Sequence, residues 1–172
     1  WQRLAWFQWW LQNQAKGMGH AISLGLKKCK TKNTCVIWSD QIFLTLNTIK
    51  KTIIFFNKNN SLLCFPVIKK KLPYVYILRD AHNFFKDIIQ TREGGVVVKT
   101  GESDCGFFVF KTHIIRALLK DLIKQKKILT KKTKEIDFLK AFKFFKKIGK
   151  LDVVKAKSIK DTIGINTIED LI

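Results

Sequence analysis

Three histidines, four cysteines and 13 acidic residues are the side chains of this sequence from which catalysis or metal binding would be built. The histidines are His20, His82 and His113. Asp80-Ala81-His82 sets a carboxylate beside an imidazole, the pairing of a general base with its orienting group. Two positions apart on a helix, however, the two side chains leave different faces. Cys29 and Cys35 are separated by five residues, with no histidine at ligand spacing, whereas zinc sites draw on tighter pairs. Together with Cys64 and Cys105 they are expected to be reduced, unpaired thiols, in a chain large and apolar enough to fold without disulfides. No serine or cysteine has a partner at activating distance in the sequence. No phosphate-binding glycine loop, dinucleotide fingerprint, metal-binding helix pair or carboxylate pair is present. Thr100-Gly101-Glu102-Ser103 reads as a turn. These absences predict a chain that is not an enzyme and that uses no metal, no cofactor and no small-molecule substrate.

What remains is charge. Against those 13 acids stand 33 Lys and Arg, giving +20 over 172 residues. An excess of that size repels itself unless something anionic covers it. Nucleic acid is the first candidate partner and an anionic membrane surface the second. Only Arg3, Arg79, Arg92 and Arg116 are arginines. A reader of base edges favours forked Arg contacts, so the composition points to phosphate and shape recognition. Lys, Ile, Phe and Asn are all written with A/T-rich codons, which suggests an A/T-rich genome as the source, an organelle genome being one such. No apolar run approaches the length of a spanning helix. Because position 1 is Trp, the sequence is expected to begin inside a longer product.

The elements that would carry this charge fall into three stretches. Residues 1–39 form an N-terminal extension without an acid, opening on the aromatic run Trp1 to Leu11. That run reads as a helix docked on a neighbouring protein, or as an interfacial membrane anchor. Lys27, Lys28, Lys30 and Lys32 make a basic linker. Residues 40–112 read as an α+β domain. Ser39-Asp40 is a good helix cap, followed by an apolar stripe of Ile42, Leu46, Ile49, Ile53 and Phe56, with Lys50 and Lys51 off it. Ser61–Phe65 reads as a strand, and Pro73 as the first turn of a second helix reaching Phe85. Strands are expected over 85–90, 96–100 and 106–111, with Gly94-Gly95 as a hairpin turn. Residues 113–172 form a basic C-terminal region. It has a helix over 114–127 and another over 135–148, whose Phe138, Phe142 and Phe145 face one way and Lys140, Lys143, Lys147 and Lys150 the other. The run from Leu151 mixes strand-like residues with Lys155, Lys157 and Lys160, and Thr167 caps a final helix. The fold class is α+β: a small α-β-α-β-β unit, then a mixed α/β C-terminal region, behind an aromatic-rich extension.

In this order of elements residues 40–172 resemble the small-subunit ribosomal protein eight family. The residues that carry the resemblance are Asp40 through Leu46-Asn47, Pro66-Val67-Ile68-Lys69, Ile77-Leu78 and Phe84-Phe85-Lys86-Asp87-Ile88. Lys160-Asp161-Thr162-Ile163-Gly164-Ile165-Asn166-Thr167 takes the place of the family's RNA-touching loop. Phe107 to His113, followed by Arg116, is similar to a stretch of small-subunit ribosomal protein ten, a rival within the same class.

The resemblance implies a structural constituent of a mitochondrial small ribosomal subunit that binds rRNA. Phosphate contact is expected from Lys50, Lys51, Lys69, Lys70, Lys140, Lys143, Lys147, Lys150, Lys157 and Lys160. Thr162, Gly164, Asn166 and Thr167 would take the role of the family's loop, where glycine lets the backbone approach an RNA minor groove. The Trp-rich N-terminus would pack on a neighbouring ribosomal protein. A peripheral membrane protein is the opposing class.

Overall fold

Apolar and β-branched runs build the centre of the molecule, seen in a computed structural model that describes residues 14–165, 167 and 168. Helix α1 (Met18–Leu26) leads into strand β1 (Asn33–Ile37) and helix α2 (Leu46–Lys58). Four strands follow: β2 (Leu63–Lys71), β3 (Val75–Arg79), β4 (Phe85–Gln90) and β5 (Thr100–Asp104). The chain ends with β6 (Phe107–Lys111), α3 (Thr112–Lys124), the single-turn α4 (Phe142–Phe145) and β7 (Leu151–Lys155).

β1 pairs antiparallel with β6, from Asn33 opposite Lys111 to Ile37 opposite Phe107. β6 and then β5 run antiparallel along one side of β2, and β7 lies parallel to β2, Leu63 opposite Leu151. So β1, β2 and β7 point one way and β5 and β6 the other: a mixed sheet in an α+β fold. Its strands come from all three stretches of the sequence. β3 and β4 form a separate antiparallel pair. The Arg79–Glu102 ion pair ties that pair to the main sheet.

One sheet face is covered by α2, whose Phe56 packs with Cys64, Val109 and Val154. The other carries a phenylalanine cluster in which Phe65, Phe108, Phe138 and Phe142 meet edge to face, Phe138 and Phe142 at 5.2 Å between centroids. Such rings add about 0.5–1.5 kcal/mol per pair beyond the area they bury.

Several sequence expectations are corrected here. The first helix of the domain starts at Leu46, capped by Thr45, whose side chain accepts from Thr48 N. Trp38 to Gln41 is instead a turn, with Gln41 N donating to Trp38 O at 3.1 Å. The inward face of α2 is Thr48, Thr52 and Phe56, and Leu46 is 71% exposed. The helix expected from Pro73 is strand β3, because Val75, Tyr76 and Ile77 bury against β4 and propensity yields to tertiary pairing. Asp80 closes the turn between those strands by accepting from His82 N and Phe84 N, which leaves its carboxyl below the usual range. The hydrophilic segment Thr100–Asp104, expected as a turn, is a strand because its backbone pairs along β2, from Val67 opposite Asp104 to Lys71 opposite Thr100. Val96 and Val97, expected in a strand, are exposed. The 135–148 helix shrinks to a 3-10 turn at Leu139–Ala141 and α4, although Phe138, Phe142 and Phe145 do bury. Helix α1 was not anticipated. The Trp1–Leu11 run, Asn166 and most of the helix expected after Thr167 lie outside the described residues. Among the described residues, no helix is long and apolar enough to cross a membrane.

Candidate functional site

The carboxyl ends of parallel strands are where open α/β sheets bind ligands, since the connections diverge there and leave a crevice. The turn after β1, the outer half of β2 and the segment after β7 meet at such a crevice. It is a cleft of about 290 Å³ lined by Trp38, Ser39, Asp40, Gln41, Lys70, Tyr74, Gln90, Arg92, Ser103, Asp104 and Thr162, among others.

Asp40 lies in the turn after β1, beyond Trp38 and Ser39, and its backbone carbonyl accepts from Ile165 N at 2.9 Å. A Cβ on Gly164 would stand 2.9 Å from Asp40 Oδ2 and 2.8 Å from Gln41 Nε2, so glycine is what allows this close approach. Gln41 Oε1 is buried and has no hydrogen-bond partner among the described residues. Gly106, at φ 66°, makes the sharp step from β5 to β6 and leaves space for Trp38 and Gln41. Asp104 accepts from Gly106 N at 2.9 Å.

The charges sense one another. Burial pushes the Asp104 carboxyl up; the Gly106 N–H and Lys70 pull it down, and Asp40 pushes it up further. The Tyr74 hydroxyl is raised by burial first and then by Asp104 and Asp40, with Arg92 opposing. Lys70 Nζ lies 5.7 Å from the centre of the Tyr74 ring. Gln90 donates from its amide to Asp137, whose other oxygen accepts from Leu139 N at 2.9 Å. That bond fixes the Gln90 amide and leaves its carbonyl oxygen as an acceptor.

Two cations beside two carboxylates, ringed by hydroxyl and amide groups, suit a phosphorylated polyol: Lys70 and Arg92 for phosphate, Gln90 and Ser103 for hydroxyls. Among the described residues, no group of three or more His, Cys, Asp or Glu is placed to hold a metal. A magnesium ion held mainly by phosphate oxygens needs only one or two carboxylates, and Asp40 and Asp104 in the cleft lining fit that demand.

The residues singled out from sequence scatter. Lys70 and Thr162 line the cleft and Gly164 borders it. Lys50 and Lys51 lie on α2, where Lys51 Nζ donates to Lys155 O at 2.9 Å. Lys69 is exposed on β2, and Lys147, Lys157 and Lys160 are exposed elsewhere. Lys140 Nζ donates to Leu129 O at 2.6 Å, Lys143 lies over the Phe144 ring, and Lys150 pairs with Asp152 at 3.4 Å. Thr167 is exposed, and Asn166 is outside the described residues. Sequence reasoning missed Asp40, Gln41, Gln90, Arg92 and Asp104. The usable signal was an apolar run, Cys35-Val36-Ile37-Trp38, that ends on Ser39-Asp40.

No protein-family model matches the chain, and no curated protein matches it by sequence. Solved structures do. HddC from Yersinia pseudotuberculosis superposes with a TM-score of 0.61 at 19% identity, over 93% of this chain and 61% of that one. The 4-diphosphocytidyl-2C-methyl-D-erythritol synthase of Anaerococcus prevotii gives 0.59 at 18% identity, over 90% and 63%. An apo UDP-glucose pyrophosphorylase gives 0.65 at 17%, over 84% and 54%. The chain thus spans between 54% and 63% of the length of these structures. All three are nucleotidyltransferases. This overturns the resemblance to the ribosomal protein eight family. The implied structural role with rRNA and neighbouring ribosomal proteins as partners falls with it, as do the ribosomal protein ten and peripheral-membrane alternatives. The expectation of a chain that is not an enzyme and takes no small-molecule substrate is corrected too, since the structures that share the fold are enzymes acting on small molecules. Over 84–93% of its length, the chain shares the fold of these three structures.

Proposed function

We propose that this chain forms the nucleotide-sugar site of a nucleotidyltransferase. In that reaction a phosphate oxygen of a sugar phosphate attacks the α-phosphorus of a nucleoside triphosphate. The new P–O bond forms as the bond to the β-phosphate oxygen breaks, and pyrophosphate leaves with its electron pair. The protein's part is positioning and charge neutralisation. Lys70 and Arg92 hold phosphate oxygens, Asp40 and Asp104 would hold a magnesium ion that neutralises phosphate charge, and Gln90 and Ser103 meet sugar hydroxyls. The observation that carries this reading is the convergence of Asp40, Lys70, Arg92 and Asp104 at the carboxyl ends of the parallel strands. The fold supports it, and so does a structure of HddC complexed with GMP-PN, a similar protein at a TM-score of 0.58 and 20% identity.

Isothermal titration of the full chain with GTP, UTP, CTP and UDP-glucose, each with Mg²⁺, tests it. Because a chain of charge +20 attracts any polyphosphate, inorganic tripolyphosphate at rising salt is the control. One nucleotide or nucleotide sugar should bind better than tripolyphosphate and keep that preference in salt. Asp40→Asn should weaken it about tenfold, the scale of one charge-assisted contact. Affinities that follow phosphate charge alone would sink the reading.

A further inference from the structure

A third acid, next in sequence to the cleft residue Thr162, does not line the cleft itself. Asp161, in the 3-10 turn Ile159–Thr162, is fully buried. Its Oδ1 accepts from Thr45 N at 2.7 Å, and its Oδ2 accepts from the Thr48 hydroxyl at 2.7 Å. Both donors belong to the start of α2, so this carboxylate satisfies the N–H of the N-cap residue Thr45 and fixes the Thr48 hydroxyl one turn on. A buried carboxylate is costly, and an apolar side chain would pack here without the penalty of desolvation. What the acid provides is a fixed point for the segment after β7.

The residues that follow show what the point serves. Thr162 lines the cleft, Gly164 lies against the Asp40 carboxylate, and Ile165 N bonds the Asp40 carbonyl at 2.9 Å. Between anchor and target the chain has little slack. Thr162 Oγ1 donates to Ile159 O at 2.9 Å, and Ile163 N donates to Lys160 O at 3.0 Å. A displacement of Asp161 therefore passes to Gly164 and Ile165 rather than being absorbed on the way.

We infer that Asp161 is a positioning residue, holding Asp40 in register for its ligand through the α2 N-terminus and the Gly164-Ile165 contact. The inference rests on the nucleotide-sugar reading of the cleft. A double-mutant cycle separates the two. The full chain is titrated with Mn²⁺ plus GTP and with Mn²⁺ plus UDP-glucose, as wild type, Asp161→Ala, Thr48→Val, Asp40→Asn and the doubles with Asp40→Asn. Asp161→Ala and Thr48→Val should each weaken the better probe about tenfold in the wild-type background. In the Asp40→Asn background each should change it less than about twofold. Thr48→Ser, which restores the hydroxyl, should restore affinity. Equal weakening in both backgrounds, or no weakening in the wild type, overturns the positioning role and leaves the nucleotide reading standing. If neither probe binds the wild type, or Asp40→Asn is without effect, the nucleotide reading fails and the anchor's role fails with it. Should Asp161→Ala not fold, the Thr48 pair carries the same comparison.

Discussion

Ile165 donates its backbone N–H to the carbonyl of Asp40 at 2.9 Å, so the end of the described chain holds the first acid of the cleft. Asp40 leaves β1, an edge strand paired on one side by β6. The sheet alone holds only the strand, and the geometry of the turn beyond it depends on the later segment. The site is therefore completed by residues far along the sequence, those that follow β7 and cross to the β1 turn.

Gly164→Ala probes that contact. The added methyl group would stand 2.8 Å from Gln41 Nε2 and 2.9 Å from Asp40 Oδ2, and both atoms end movable side chains. They swing aside, so the stability cost should stay below about 1 kcal/mol. The same movement takes Asp40 out of place, and nucleotide affinity should fall about five- to tenfold. Thermal unfolding and titration on one preparation check both halves. A large loss of stability with unchanged affinity would contradict the geometry.

Gly106→Ala should behave in the opposite way. Gly106 has φ 66°, and a Cβ there would lie 2.4 Å from Gln41 Cγ and 2.7 Å from Trp38 Cδ1. Backbone strain and the displaced Trp38 together should cost about 2 kcal/mol. For a chain of this size that lowers Tm by about 4–8 °C. A calorimetric scan with unchanged Tm would show that the β5–β6 step does not need glycine.

Parts of this architecture are legible in the sequence, and the cleft is not, for a physical reason. Phe107 to Phe110 reads as a buried strand, and the spacing of Phe138, Phe142 and Phe145 puts all three inward whether the backbone is one helix or a 3-10 turn and a short helix. Residues 114–127 show a helical period, and α3 is there. Pro73 misleads because a proline that opens a helix looks the same locally as one that precedes a strand. Only the pairing of Val75 with Gln90 and Ile77 with Ile88 decides between them. The cleft acids are harder still. Asp40 after a serine reads as a cap, and Asp104 before Cys105-Gly106 reads as a turn. Sheet order, which neither local pattern contains, brings them together. The lysine stripe misleads in another way: Lys140 and Lys150 are occupied by Leu129 O and Asp152, contacts made by tertiary packing.

The thiols should divide by burial. Cys64 and Cys105 are fully buried, and burial pushes both thiols far up, so neither offers a thiolate near neutral pH. Cys29 is half-buried and its thiol donates to Gly25 O at 3.5 Å; Cys35 is exposed on β1, though partial burial raises its thiol as well. With an aromatic disulfide reagent at pH 8, Cys35 should react first and Cys29 more slowly. Cys64 and Cys105 should react only on unfolding. Four equal rates in the native protein would contradict this placement.

Asp104 gives the molecule a pH dependence whose sign is set by burial. Its carboxyl lies above the usual range, with burial the largest cause; Asp40 adds to the shift, and Lys70 and the Gly106 N–H reduce it. An acid raised on folding binds its proton more tightly in the native state than in the unfolded chain. The stability it contributes is complete below the unfolded value of about 3.9 and is lost as pH rises through the higher folded value. Asp104→Asn keeps an oxygen for the Gly106 N–H and removes the charge, so it escapes the penalty. Since burial outweighs the attraction of Lys70, the variant should unfold at a higher temperature than the wild type at pH 7. The gap should close as pH falls toward 4, where the wild-type carboxyl is protonated. Thermal unfolding of both proteins in half-unit steps from pH 4 to 8 reads this directly. A wild type more stable than the variant at pH 7 would mean that Lys70 and the Gly106 N–H outweigh burial at Asp104.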